Sequence, residues 1–469
     1  MLARTVALNS GHLPTEYDWP SGPFLLLAPL LRLLRLLPPG LVQPYLVART
    51  LVATAGIALV VVTGLLAASL CPPGPRRRAA AWIAAAGTAV AYPAVSASRS
   101  AHPEILQDAA ATAALLVTLR LATDPRRRWA VLAGALGGAA AGMKYVGGVV
   151  VLVTVAAALL PQPGPRTPGA GSRRALAVLA AALGAFVVLV PATVTDPVAL
   201  AAGLDLQFLH SANGHVGFDS ATPALVYHLT ESLPGSLGWP AAVVILAGAA
   251  LGAARGGRRA RLVAAFVVLA GLPIGLSHLT FPRYVLLVLP ALCCLAAAEL
   301  GRLAATRRSA AVLGALVALA LLPGTLDAVR LVRAEGATDT RALAGTRIAT
   351  LAGPVYAENF TVLLDARSAD GPARFITGLD RRPDLGPGCA CYVVVSSFMQ
   401  DRYRDEPDRY GAQVARYVEL ARTAQLVAVL APSVPLDYRW EALPQYGIRA
   451  VPLTGPLVVG PTVTIYRWS

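Results

Sequence analysis

The sequence predicts an α-helical polytopic membrane protein of about ten transmembrane helices, with a small C-terminal extracytoplasmic α/β domain. Three observations predict it. The 469 residues are 56% hydrophobic and only 14% charged, with a mean hydropathy of +0.61, whereas a soluble chain carries about 25% charged residues. The long Ala/Val/Leu/Gly runs are confined to residues 1–324, and residues 325–469 read as an ordinary globular domain. Finally, arginines gather in the short loops between those runs, at 76–78, 126–128, 166–174, 255–261 and 302–308.

That last pattern decides what the net charge of +15 means. Arg-rich loops stay cytoplasmic, whereas nucleic-acid binding needs the cations on one folded face with base-reading side chains beside them. A nucleic-acid partner is therefore excluded, and the plasma membrane is the expected location.

Residues 1–22 are polar and Pro-rich and show no signal-peptide pattern. Residues 23–37 are apolar but short and carry Arg32 and Arg35, which suits a helix lying in the interface; Pro38, Pro39 and Gly40 end it. Spanning candidates follow at 43–70, 79–97, 104–122, 129–143, 146–161, 175–194, 237–254, 261–277, 283–300 and 309–323. Placing every Arg-rich loop inside puts 98–104, the turn at Lys144, the loop 195–236, the turn 278–283 and the C-terminal domain outside. Residue 1 then also lies outside with no export signal, which predicts an upstream extension encoding a further helix and an outer loop containing Asp.

In the C-terminal domain, 359–365 and 392–396 read as strands, 410–423 as a helix, and 426–430, 448–451 and 462–466 as further strands. Of the five cysteines, Cys293 and Cys294 lie within a helix, Cys71 stands apart, and Cys389 and Cys391 are too close for an ordinary disulfide.

Ionisable side chains in a bilayer are costly and so mark function. In Ser98-Arg99-Ser100-Ala101-His102-Pro103-Glu104, Pro103 suits a helix start and Glu104 its first turn. Asp108, four residues on, shares that helix face. The two carboxylates could orient a hydroxyl acceptor, act as general base or hold a divalent cation; the structural alternative is capping by Glu104 and an Asp108–Arg99 pair. Lys144, in Gly142-Met143-Lys144-Tyr145, is the one lysine among 40 Lys and Arg residues. A compact ammonium suits a phosphate there, against simple snorkelling to headgroups. Arg283, in Phe281-Pro282-Arg283-Tyr284, opens a helix against its dipole. It could hold a lipid phosphate, or with Tyr284 merely anchor the interface. The outer loop carries Asp205, His210, His215, Asp219, His228 and Glu231, whose spacing fits no standard zinc site and suits a mobile polar lid. The chain has no GxxxxGK[ST], no GxGxxG opening a helix and no GxSxG elbow.

Taken in order, these pieces resemble the type-C glycosyltransferase superfamily, in particular bacterial relatives of protein O-mannosyltransferases and aminoarabinose transferases. The resemblance rests on Gly11-His12-Leu13-Pro14 through Tyr17-Asp18-Trp19-Pro20, then His102-Pro103-Glu104, Gly142-Met143-Lys144-Tyr145, Phe281-Pro282-Arg283-Tyr284 and the ending Gly460-Pro461-Thr462-Val463-Thr464-Ile465-Tyr466-Arg467. It implies transfer of a sugar, with inversion, from a polyprenyl-phosphate donor to an acceptor hydroxyl on a glycan, lipid or protein at the outer membrane face, without a cofactor. Glu104 and Asp108 would be the catalytic carboxylates, and Lys144, Tyr145, Arg283, Tyr284, His102 and Asp18 would bind substrate. Relatives carry a catalytic Asp in a first outer loop, and Glu16 and Asp18 replace it poorly by position. The competing readings are a transporter or flippase of lipid-linked sugars, which would want charges at mid-membrane, and a non-catalytic binder of them.

Overall fold

The protein is described from a computed structural model, covering residues 17–34, 43–161, 168–219, 222–304, 306–362, 373–376 and 385–468, with residues 5, 378, 379 and 382. The motif 11–14, Glu16, residues 35–37 of the interfacial segment, 162–167 and 363–365 lie outside these. The chain divides into two compact units. One comprises Met1–Asn213 with Ser220–Thr325, and the other Gly214–Asp219 with Leu326–Ser469.

The first unit is helical. α1 (Gly22–Leu34) is followed by α2 (Pro44–Ser69), α3 (Pro75–Val90), α4 (Glu104–Leu121), α5 (Arg127–Met143), α6 (Val149–Leu159) and α7 (Ala170–Leu189). Then come α8 (Pro197–Asn213), α9 (Trp239–Arg255), α10 (Arg258–Leu276), α11 (Leu289–Leu300) and α12 (Arg307–Glu335). Every spanning candidate overlaps one of these helices, and the helix starts follow local chemistry. Pro44 and Pro75 occupy first helical positions, where the missing N–H has no intrahelical acceptor to lose. Among the described residues, α2, α7, α10 and α12 are long and apolar enough to cross a membrane unaided. The segment Ala224–Leu237 with α9 forms a pair bent by 118° at Gly238, whose φ of 84° a side chain would resist. These helices make the chain a multi-pass membrane protein.

Three expectations about this unit need correction. The candidate 79–97 breaks at Ala91, because Pro93 sits in the first turn of a new short helix, Tyr92–Ala97. The last span runs on to Glu335 through Pro323, since residues 326–335 are mostly good helix formers. The stretch 195–236, expected only as an outer loop, holds the 17-residue α8, a π-turn His228–Ser232 and a further helical turn.

Close packing in this unit depends on small residues. Gly134 and Gly138, one helical turn apart on α5, face the backbone of Val178 and Ala182 on α7, and a Cβ at either glycine would collide with it. Apolar helices in lipid gain nothing from the hydrophobic effect on meeting, so this small-xxx-small approach brings van der Waals contact in its place.

In the second unit, a five-stranded sheet runs β2 (Ala373–Ile376), β1 (Val355–Glu358), β3 (Cys391–Ser396), β5 (Val463–Trp468) and β4 (Gln425–Leu430), numbered in chain order. β1 is parallel to β2 and β3, and β5 is antiparallel to β3 and β4. One face packs on α13 (Thr340–Ile348) through Ala344 and Ile348. The other packs on α14 (Ser397–Arg404) and α15 (Pro407–Thr423) through Met399, Tyr403, Tyr417 and Leu420. Glu358, fully buried at the end of β1, accepts a hydrogen bond from the Tyr417 hydroxyl. Residues Gly214–Asp219 belong here: Gly217 N–H donates to Glu406 (2.7 Å) and the Tyr438 hydroxyl donates to Gly217 O (2.6 Å).

The strand expected at 359–365 ends instead at Glu358, because Phe360 adopts a φ of 61° and turns the chain. The run 448–451 forms a 3-10 turn after Gly447, whose φ of 115° breaks any extended register. Cys389 and Cys391 do form a disulfide, across a Cα–Cα distance of 5.3 Å that lies within bridging range; Ala390 between them has a φ of 47°.

Candidate active site

Four breaks in regular structure supply the side chains of the site, all within the helical unit. Glu104 is the first residue of α4, directly after Pro103. Lys144 occupies the extended link between α5 and the 3-10 turn Tyr145–Gly148 that leads into α6. Arg283 and Tyr284 lie in the 3-10 turn Pro282–Leu287 ahead of α11. Tyr17, Asp18 and Trp19 form the bend before α1.

These elements meet at Glu104, which is 5% exposed. Its Oε1 accepts a hydrogen bond from Lys144 Nζ at 3.2 Å and lies 3.2 Å from Arg283 Nε, an ion pair not aligned as a hydrogen bond. The two cationic nitrogens are therefore no farther apart than twice that distance. Oε2 lies 3.8 Å from His102 Nδ1, and the His102 ring packs beside Trp19 at 5.9 Å. Burying a carboxylate is costly unless it is paired, and Glu104 has two cations within reach.

The cations are in turn positioned by aromatic rings. Lys144 Nζ sits 4.8 Å from the Tyr284 ring centre and the Arg283 guanidinium 4.4 Å from that of Phe281; Phe281 and Tyr284 pack edge to face. Such stacking holds each cation against a ring face without consuming a hydrogen-bond donor. The Lys144 and Arg283 side chains keep 24% and 35% of their surface accessible, so both can reach an arriving anion.

One helical turn deeper, Asp108 is 1% exposed. Its Oδ1 accepts from Gln107 Nε2 at 2.8 Å, and its Oδ2 has no hydrogen-bond partner among the described residues. The alternative pairing of Asp108 with Arg99 is therefore not formed. Gln107 Oε1 and Glu104 Oε2 are likewise buried without a hydrogen-bond partner. Three oxygen acceptors thus cluster on the first turns of α4.

Tyr145 is placed differently from the other candidates. Its hydroxyl donates to the Tyr17 carbonyl oxygen at 2.8 Å, which ties the bend carrying Asp18 and Trp19 to the α5–α6 link. The turn before Arg283 is tied to α8, with His278 N–H donating to Ser211 O at 2.9 Å. On α8, His210 lies within electrostatic range of Arg283 and Asp18. Burial, then Arg283, holds its imidazole below the usual pKa, with Asp18 opposing. The other loop histidines are elsewhere: His215 stacks on Phe218 in the second unit, and His228 bonds Ser232 within the π-turn.

The sequence reading gave Gln107 no role, and it named Phe281 only within its motif and His210 only among the loop histidines. Gln107 carried a signal, a polar residue between two acidic ones on an apolar helix. Nothing in the sequence links His210 to Arg283, because only folding sets α8 near it.

No family model matches the chain, and no curated protein matches it. Solved structures do. ArnT from Cupriavidus metallidurans bound to undecaprenyl phosphate matches over 99% of this chain and 92% of its own, with a TM-score of 0.57 and 16% identity. The same protein in the apo state gives 0.55 over the same shares. The archaeal oligosaccharyltransferase AglB from Archaeoglobus fulgidus, in complex with an inhibitory peptide and a dolichol-phosphate, gives 0.51 at 11% identity, covering 92% of this chain and 68% of its own. This chain therefore has the fold of the ArnT structures.

Proposed function

We propose that the protein is a membrane glycosyltransferase that moves a sugar from a polyprenyl-phosphate carrier to an acceptor hydroxyl, with inversion. The observation that carries this reading is the meeting of Lys144 and Arg283, from elements far apart in sequence, on one buried carboxylate oxygen. A leaving phosphate needs what that oxygen now receives: an ammonium and a guanidinium within hydrogen-bond reach. On this reading Glu104 holds the empty clamp together, and the carrier phosphate displaces it.

The acceptor oxygen attacks the anomeric carbon as the bond from that carbon to the phosphate oxygen breaks. The electron pair leaves with the phosphate, whose added charge Lys144 and Arg283 stabilise. The acceptor proton goes to a carboxylate of α4. Asp108 suits that role, since its Oδ2 has no hydrogen-bond partner among the described residues and Gln107 fixes the other oxygen. His102, which faces Glu104, and Tyr284, which faces Lys144, are assigned to substrate binding on this reading, with Asp18. A divalent cation fits this donor set poorly: no three His, Cys, Asp or Glu side chains converge among the described residues, and Glu104 already faces two cations. No step is therefore routed through a metal.

The test is transfer by the purified full-length protein from a polyprenyl-phosphate sugar to added acceptors, with the product's anomeric configuration read by NMR. An inverted product that forms in the presence of EDTA supports the reading. Saturable donor binding with no transfer to any acceptor would replace it with the non-catalytic binder.

A further inference from the structure

The end of the helical unit opposite Glu104 holds a second cavity that the proposed reaction does not use. α4 has Glu104 as its first residue and Thr123, which lines this cavity, just beyond its last. Eighteen helical residues separate the two ends by about 27 Å. The segment from Arg283 to Arg302 likewise joins the two places. The cavity is about 470 Å³, and Arg76, Arg258, Arg259 and Arg302 line it, with Glu299 as the one carboxylate among the lining residues.

That carboxylate is already taken. Arg255 Nη1 and Arg302 Nη1 each approach a different oxygen of Glu299 at 3.1 Å, and the Glu299 side chain is 11% exposed. Arg259 spends one donor on Ser69 O at 2.8 Å, and Arg258 spends Nη1 on Pro161 O. The Nε and Nη2 donors of Arg258 are buried and have no hydrogen-bond partner among the described residues. Buried donors of a charged group left unpaired are costly, and arginines that only mark the inner membrane face would keep theirs in water. The guanidinium groups of Arg76, Arg258, Arg259 and Arg302 around one basic cavity can offer planar N–H pairs to a phosphate's oxygens. The volume has room for a headgroup and not merely one ion.

We propose that this cavity is a binding site for a phosphate-bearing anion, filled in the membrane by the headgroup of an anionic phospholipid. Basic pockets between transmembrane helices take such headgroups on the cytoplasmic side, which is where the Arg-rich loops place this one. The proposal stands apart from the transfer reaction and needs no active enzyme to be tested.

Native mass spectrometry of the full chain in detergent, titrated with short-chain phosphatidylglycerol, phosphatidylcholine or inorganic phosphate, is the measurement. Phosphatidylglycerol is expected to occupy one saturable site, and phosphatidylcholine to bind at least about tenfold more weakly. Arg76→Gln and Arg258→Gln should each weaken phosphatidylglycerol about fivefold, the effect of one basic residue at a membrane surface. Glu299→Gln should tighten it, because Arg255 and Arg302 are released; a misfolded variant cannot mimic that sign. Unchanged binding in both arginine variants, or equal binding of the two lipids, overturns the site. Displacement of the lipid by inorganic phosphate at matching concentration overturns the headgroup assignment in favour of the free anion.

Discussion

Glu104 and Lys144 form a pair whose two roles, structural and chemical, can be separated by mutation. Removing one partner of a buried ion pair costs about 3–5 kcal/mol, and the partial exposure of Lys144 pulls the figure towards or below the lower end. Lys144→Ala should therefore abolish transfer and also lower thermal stability. Arg283 still faces Glu104 in that variant, and adding Glu104→Gln removes the half-compensated buried charge while leaving Arg283, 35% exposed, to solvent, so the double variant should be no less stable than Lys144→Ala yet transfer nothing. Transfer restored in the double variant would show that Lys144 serves only to neutralise Glu104. Lys144→Arg should be impaired as well, because a planar fork does not reproduce the compact ammonium beside Tyr284.

At the scale of elements, the site depends on how closely helices approach. α5 ends at Lys144, and its Gly138 lies against the α7 backbone with no room for a Cβ. Gly138→Val should cost about 1–3 kcal/mol by overpacking and reduce transfer although it touches no charged group. A variant with wild-type melting temperature and activity would show that α5 and α7 adjust freely. α8 offers a second handle through His210, whose pKa is held below its unfolded value. The unfolded state then takes up the proton first, so this residue's contribution is complete above about pH 6.5 and declines as pH falls through and below that value. Wild type should lose melting temperature faster than His210→Gln between pH 7.5 and 5; parallel curves would remove His210 from the account.

For the whole molecule, the one-sided arginines make a topological claim. The loops 72–78, 123–128, 162–174, 255–261 and 301–308 should be cytoplasmic, with residues 325–469 outside. Cysteines introduced by Ala170→Cys and Gln400→Cys, probed in intact cells with an impermeant maleimide, check it. Label at 400 and none at 170 is expected, and the reverse would invert the protein and place the Glu104 cluster at the inner face.

The sequence by itself determined the membrane class and the helical segments, and it singled out charged residues at helix ends that the fold then gathers. Those are properties of hydropathy, helix-starting prolines and the cost of charge in lipid, all readable within a window of about 20 residues. It located Glu104 at a helix start, and singled out Lys144 because an arginine-rich chain uses lysine once. It misjudged places where one residue's backbone conformation outweighs local pattern: Phe360 ending β1, Gly447 opening a turn, and the disulfide at Cys389 and Cys391. Only the tertiary structure decided that Lys144 and Arg283 meet on one oxygen of Glu104, that Tyr145 braces Tyr17, and that two buried donors of Arg258 have no hydrogen-bond partner among the described residues. Helix periodicity says which face a residue occupies; which faces meet is settled by close contacts such as those of Gly134 and Gly138, residues that touch none of the charges they help bring together.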